Sequence, residues 1–305
     1  MIGKATLAAA TLMVCSVFAA STAMAGPVIT IGGLDGAEHW TWIEAEDAIG
    51  GTGSTGVYNS LSISGAPNNA DYYSQETSIG SGNVQLTFAA PVNMSADTKI
   101  YMRASIERSR RIAFSVDGGA AVSDHMAIQP SGSLPSQFLV QSVNGSNPGS
   151  AAVNLGVVSQ GEHTLTVTKG DSLTLNWWRF DGFLIYDGTP VLPTAPVDLG
   201  IGRVWLPNPT SAASPVITGS VTPTFDISGL AEGNRVGYLL DGEAYTPGTK
   251  ISAGDHQLVV YVLENVSDSS DRIAFSGANF TVVPEPATIG LLVAGGCLLA
   301  ARNKR

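Results

Sequence analysis

The chain has 305 residues, enough for one large or two modest domains. Its formal net charge is −10, and between Gly26 and Pro286 eleven basic residues face 25 acidic ones. So acidic a body lacks the Lys/Arg patches that phosphate backbones require, which argues against a nucleic-acid partner. Apolar residues make up 44% and charged ones 13%, with 35 glycines and much Ser, Thr and Val. That mix suits strands and tight turns better than long helices. The two cysteines, Cys15 and Cys297, each lie in a terminal hydrophobic run. A disulfide framework in the body is excluded.

Residues 1–25 start with a basic Lys4, continue through an apolar stretch over 7–20, and close on Ala23-Met24-Ala25. A short basic start, a brief apolar run and small residues before the cut define a secretory signal peptide, removed by signal peptidase. A core helix is the alternative. Leu12-Met13-Val14-Cys15 glances at a lipoprotein box, but Val14 is bulkier than the small residue expected there.

At the other end Pro284-Glu285-Pro286 precedes an apolar run over 287–301 and then Arg302-Asn303-Lys304-Arg305. As a helix this run spans about 22 Å, short of a hydrocarbon core of roughly 30 Å. The basic tail suits retention on the cytoplasmic side. This order resembles the PEP-CTERM sorting signal of Gram-negative bacteria that make extracellular polysaccharide. The resemblance implies recognition by an exosortase, transient inner-membrane anchoring, removal of the tail, and release to the cell surface or matrix. A plain membrane anchor is the alternative.

Between the ends, strands are predicted over 84–88, 99–104, 111–116, 163–168, 183–186, 236–240, 257–263 and 278–283. In 163–168, Leu165 and Val167 alternate with threonines, as in a half-buried strand. Asp117-Gly118 and Asp241-Gly242 stand between such segments and signal hairpin turns. Six prolines within 187–215 read as a linker, with Val204 and Trp205 packing on a neighbour. The expected organisation is a jelly-roll sandwich over 38–188, a linker over 189–214, a smaller immunoglobulin-like sandwich over 215–283 and the sorting segment over 284–305. The fold class is all-β, with hydrophobic helices only as terminal processing signals. The phrase Gly161-Glu162-His163 returns as Gly254-Asp255-His256, so the two units share turn chemistry.

Two constellations point to chemistry. Glu44 and Glu46 share one face of a strand whose Ile43 and Ala45 face the core. Near the close of the first unit stands Trp178-Arg179-Phe180-Asp181. An opening Glu-x-Glu and a late aromatic-x-x-Asp resemble the family 6 and family 35 carbohydrate-binding modules, whose fold is a galactose-binding-like jelly roll. The resemblance covers about half the chain and implies a structural calcium held by Glu44, Glu46 and Asp181. Oxygen-only ligands suit that hard cation, and burying three carboxylates without one is costly. The alternative leaves both glutamates exposed on an edge strand. The same resemblance implies a sugar platform at Trp178, with Trp177 beside it and Tyr72, Tyr73 or Tyr58 completing an aromatic patch. Arg179 stands where the modules often carry Asn, which suits an acidic sugar.

For an enzyme little is present. His39, His125, His163 and His256 show no metal-ligand spacing, and no Gly-x-Ser-x-Gly occurs. The expectation is a non-enzymatic surface or matrix protein that binds polysaccharide. Its rivals are a purely structural matrix protein and, behind it, a glycoside hydrolase with paired carboxylates.

Overall fold

The structure is a computed structural model. It describes residues 26–44, 48–51, 54–56, 72–76, 83–106, 110–126, 139–142, 153–169, 177–193, 197–201, 203–207, 216–264 and 272–285. Residues 1–25, expected to form a signal peptide, lie outside these, as do Tyr58, Glu46, and Pro286 with the segment after it. Every described element is a strand, and no described helix is long and apolar enough to cross a membrane.

The chain opens with β1 (Val28–Gly32) and β2 (Glu38–Glu44), then β3 (Ala48–Gly51), β4 (Ser54–Gly56) and β5 (Tyr72–Glu76). There follow β6 (Asn83–Ala90), β7 (Thr98–Ile106), β8 (Arg110–Val116), β9 (Val122–Met126) and β10 (Leu139–Ser142). The first unit closes with β11 (Val153–Asn154), β12 (Gly161–Lys169) and β13 (Trp177–Asp187). A small hairpin, β14 (Val197–Asp198) and β15 (Arg203–Val204), leads on. The remainder is β16 (Val216–Thr218), β17 (Thr224–Ser228), β18 (Arg235–Leu240), β19 (Glu243–Ala244), β20 (Gly254–Leu263) and β21 (Arg272–Val283).

Strands of the first unit alternate between two sheets, as in a jelly roll. One has the order β3-β6-β12-β8-β9, and the other contains β10-β7-β13-β2. Between them lies a core of Ile43, Leu86, Phe88, Ile100, Met102, Phe114, Leu165 and Phe183, among others. Phe114 and Phe183 meet edge to face at 6.2 Å. Both Asp-Gly pairs turn where the sequence places them. Asp117 and Asp241 take φ of 51° and 55°, and their glycines 68° and 84°. Positive φ at both central positions is what a tight hairpin turn demands.

The two units are not held apart by a spacer. β2 pairs with β13 on one side and with β21 on the other, so one sheet runs on into β20, β18 and β19. β1 crosses over to pair with β17, and Ile29, Ile31 and Leu34 fill the second core with Leu258, Val260, Val262 and Phe280. The smaller sandwich thus includes residues from the N-terminal end of the described chain. The proline-rich stretch lies as a strap across the continuous sheet. There Ile201, Val204, Trp205 and Leu206 bury Trp40, Trp42, Tyr101, Leu184 and Tyr186.

Polar groups pin the strap. Pro207 carbonyl accepts from Gln257 Nε2 at 2.6 Å and from Asn279 Nδ2 at 3.4 Å. Asn279 Nδ2 also donates to the Tyr186 hydroxyl, which in turn donates to Glu38. The close crossing of strands needs glycine. A side chain at Gly182 would occupy the place of the Trp42 indole, and one at Gly277 that of the Trp40 indole.

His39 lies buried at the start of β2, and its Nδ1 has no partner among the described residues. Burial lowers its pKa to about 4, outweighing a hydrogen bond to the Leu34 carbonyl and the nearby Asp187 and Asp35. Between the ordinary value of 6.5 and about 4, the unfolded chain therefore binds a proton that the folded chain does not. Stability should fall as pH drops through that window, by on the order of 3 kcal/mol at its end. Denaturant titrations from pH 7 to 4 should show this loss, and His39→Gln should flatten it. An unchanged slope in His39→Gln would refute the assignment.

Candidate functional site

β13 organises the site. Its C-terminal half, Phe183-Leu184-Ile185-Tyr186, is buried on both faces. Its N-terminal half carries Trp177, Trp178, Arg179 and Asp181, with β7 along one side and β5 along the other. Against β7 the register slips between Phe180 and Gly182, so Asp181 is the extra residue of a β-bulge. Bulges re-aim a side chain and recur beside functional sites. On the far side Gly182 pairs with Glu44 of β2. The backbone thus brings two residues of the expected cation set onto neighbouring strands at one level, although 137 positions separate them in sequence. Their carboxylate chemistry and this placement fit a hard cation. Among the described side chains no group of three or more His, Cys, Asp or Glu gathers. Glu46 and the side chain of Asp181 are not among them.

The register separates the two tryptophans. Trp178 stands opposite Ile106 and shares the parity of Met102 and Ile100, which line the sandwich core. Trp177 and Arg179 fall on the other parity, that of Tyr101 and Leu184. Sequence pattern favours Trp178 as the platform; register favours Trp177. Tyr73 pairs with Phe180, and Tyr72, the residue before it in β5, pairs with Gly56.

Glu44 also lines a cavity of about 40 Å³ with Gly26, Thr41, Thr87, Glu162 and Ser276. That holds a water or two and is too small for a sugar ring.

A second constellation is more complete. His163 Nδ1 lies 2.7 Å from Asp117 Oδ2, and Ser159 Oγ lies 3.5 Å from His163 Nε2. Ser, His and Asp in that order suggest a nucleophile with its base. However, His163 Nε2 already faces the Ser159 carbonyl at 2.7 Å. A nitrogen so engaged is not available to take the hydroxyl proton. The arrangement also recurs in the second unit. His256 Nδ1 meets Asp241 at 2.8 Å and its Nε2 meets the Ser252 carbonyl at 2.9 Å. In both places the other carboxylate oxygen accepts from the next backbone N–H, at Thr164 or Gln257, at 2.8 Å. Each ring packs on a phenylalanine, Phe88 or Phe280. Duplication in two different sandwiches marks a clasp that fastens a hairpin to the next strand. Partial burial opposes ionisation of Asp117, but the bonds from His163 and Thr164 prevail and hold its carboxyl below the ordinary carboxylate value. The signal was present in sequence as the paired Asp-Gly and Gly-acid-His phrases.

Of Pro284, Glu285 and Pro286, expected to form a sorting motif, two are among the described residues. Pro284 and Glu285 follow β21 directly and are exposed, and Glu285 stands against Gly219.

No protein-family profile and no curated protein matches the chain. Several solved structures are loosely similar. The family 35 module from Cellvibrio japonicus Abf62 is 8% identical, over 49% of this chain and 94% of that one, with a TM-score of 0.30. The CBM36-1 domain of a xylanase from the hindgut metagenome of Trinervitermes trinervoides is 15% identical, over 48% and 95%, at 0.29. The exo-beta-1,3-galactanase of Phanerochaete chrysosporium is 20% identical, over 48% and 29%, at 0.29. This chain spans less than a third of the length of that galactanase and of the Podospora anserina GH26-CBM35 mannanase. Likenesses this loose do not bear on fold or function, and the sandwich rests on its own sheet registers.

Proposed function

We propose that the protein is an exported, non-enzymatic surface or matrix protein whose first sandwich binds polysaccharide. The observation that carries this is the juxtaposition at β13. A late strand bearing Trp177, Trp178 and Arg179 bulges at Asp181, level with Glu44 of the opening strand. An indole offers a flat apolar face for the C–H groups of a pyranose, and a fixed structural cation beside it would hold that edge of the sandwich in shape. Glu44, Glu46 and Asp181 would hold calcium. Binding at one such surface should be weak, with avidity coming from many copies in the matrix.

A glycan array probed with residues 26–286, with and without calcium, tests the reading. Signal on at least one polysaccharide class, lost in Trp177→Ala and kept in Trp178→Phe, is the expected outcome. Silence across the array would give the lead to a purely structural matrix protein.

Export is proposed on the two terminal segments. Intact-mass analysis of surface material from the native host should find a chain starting near Gly26 and ending close to Pro286. Recovery of Arg305 on most molecules would overturn the sorting claim.

A further inference from the structure

We propose that the first sandwich carries a second ligand pocket, at the end opposite Trp177, and that it takes the acetyl group of a neutral sugar. The acetyl group follows from the pocket itself; the sugar rests on the glycan reading above. β13 runs from Trp178 opposite Ile106 to Asp187 opposite Thr98, so its 11 residues set the two ends roughly 33 Å apart. At the far end the turn between β8 and β9 faces the segment between β11 and β12 across a cavity of about 280 Å³. Leu155 N–H donates to the Thr98 carbonyl at 2.8 Å, which fixes that segment to the end away from Trp177. Phe114 and Val158 are buried at the base of the cavity, Val122 is half-buried, and Val157 stands 72% exposed at its mouth. Both walls are held before any ligand arrives. On the turn, Ser115 Oγ donates to the Gly119 carbonyl at 2.8 Å, and Gly119 N–H to the Val116 carbonyl at 2.9 Å. Opposite, Gly156 N–H donates to Asn154 Oδ1 at 2.6 Å, and Gln160 N–H to Asn93 Oδ1 at 2.9 Å. A site so built binds without the cost of ordering a loop.

Among the lining residues only Asp117 and His163 can carry charge, and the clasp occupies both. His163 Nδ1 meets one Asp117 oxygen, Thr164 N–H donates to the other, and His163 Nε2 meets the Ser159 carbonyl. Neither is left to pair with an ionic ligand, so the occupant is neutral. A hydroxyl driven onto the apolar base would lose its water partners without replacement. A methyl group suits that base. Behind the methyl, the exposed Ser159 hydroxyl can donate to a carbonyl, since at 3.5 Å it is only loosely held by a nitrogen already engaged. Methyl and carbonyl together make an acetyl group, and Val157 at the mouth offers apolar surface to the ring that bears it. A chain with glycan contacts at both ends of one sandwich bridges polysaccharide strands, and many copies together would knit a matrix.

Saturation-transfer NMR of the intact chain in non-ionic detergent tests this, with N-acetylglucosamine and glucose as probes. The acetyl methyl of N-acetylglucosamine should take up saturation strongly, and glucose little. Ala120→Phe, which fills the cavity from an exposed turn position, should abolish the methyl signal. Ser159→Ala should weaken binding roughly three- to tenfold, the worth of one hydrogen bond. Val157→Asn should weaken it as well, and Trp177→Ala, at the other end, should not. Melting curves identify any variant that fails to fold, and the two exposed positions, Val157 and Ser159, then decide. Equal saturation of the two sugars, or a methyl signal undiminished in both Val157→Asn and Ser159→Ala, would overturn the acetyl pocket and leave the site on β13 standing. A signal lost in Trp177→Ala but kept in Ala120→Phe would overturn it too, by moving the sugar to β13. No saturation of either probe would overturn the pocket, while the glycan array judges the β13 end separately.

Discussion

Residues 208–286 produced alone are expected to show no cooperative unfolding transition, whereas residues 26–286 unfold in a single one. The smaller sandwich lacks parts of its own core. Ile29 and Ile31 of β1 and Leu34 are almost fully buried against Leu258, Val260 and Phe280. β2 supplies the hydrogen-bonding edge for β21, from Glu38 opposite Asn279 to Trp42 opposite Phe275. Burying each large apolar side chain contributes about 1.5–3 kcal/mol. Losing Ile29, Ile31, Leu34 and the Trp40 contact with Phe275 approaches the roughly 5–15 kcal/mol that holds a whole domain folded. A unit of about 70 residues has little reserve. The strap adds coupling in the longer chain, because Gln257 and Asn279 of the second unit bond to Pro207, and Asn279 to Tyr186 of the first. Calorimetry decides the matter. Two separated transitions in residues 26–286, or a sharp melt of 208–286 alone, would show that the units fold independently.

The strands and their turns were legible because their signals are local. Alternation in β12 and the Asp-Gly pairs each require only a few neighbouring residues. The joining of the units was harder to read, since pairing partners far apart in sequence leave no local trace. One clue was present. His39-Trp40-Thr41-Trp42-Ile43 is apolar or buried on both faces, as is Phe183–Tyr186 in β13. A strand without a polar face belongs in the interior of a sheet with cores on both sides. Within a first domain taken as separate, Trp40 and Leu184 would have nothing to pack against on the outer face. The strap was half legible: Trp205 and Val204 stood out among prolines, but what they cover is Trp42 and Tyr186 from elsewhere in the chain.

The candidate site shows the same division. Residue types and their order suggested Glu44 and Asp181, and the register makes them neighbours. The bulge at Asp181 is a one-residue event that no periodicity reveals, and it decides which of Trp177 and Trp178 shares the core's parity.

Calcium should raise the melting temperature of residues 26–286, and Asp181→Ala or Glu46→Ala should abolish the rise. A ligand that binds only the folded state adds RT ln(1 + [L]/Kd), about 2.7 kcal/mol at a hundredfold excess over Kd. For a chain of this size that corresponds to roughly 5–10 °C. The effect should be felt by the whole molecule. Glu44 lies on β2 and Asp181 on β13, so tying these strands together steadies β2, which on its other side pairs with β21 of the second unit. Magnesium should substitute poorly, because it prefers a tighter octahedron and gives up its waters reluctantly. The comparison is between protein stripped with EDTA and the same protein given millimolar calcium, followed by its two carboxylate variants. Identical melting in both states would mean that Glu44 and Glu46 hold no calcium, although β2 is paired on both sides and is not the edge strand that the alternative reading supposed. A rise retained in Asp181→Ala would put the cation elsewhere. A rise lost in both variants, with normal folding in EDTA, would assign the bulge at Asp181 its purpose: turning a carboxylate out of the ladder toward the cation.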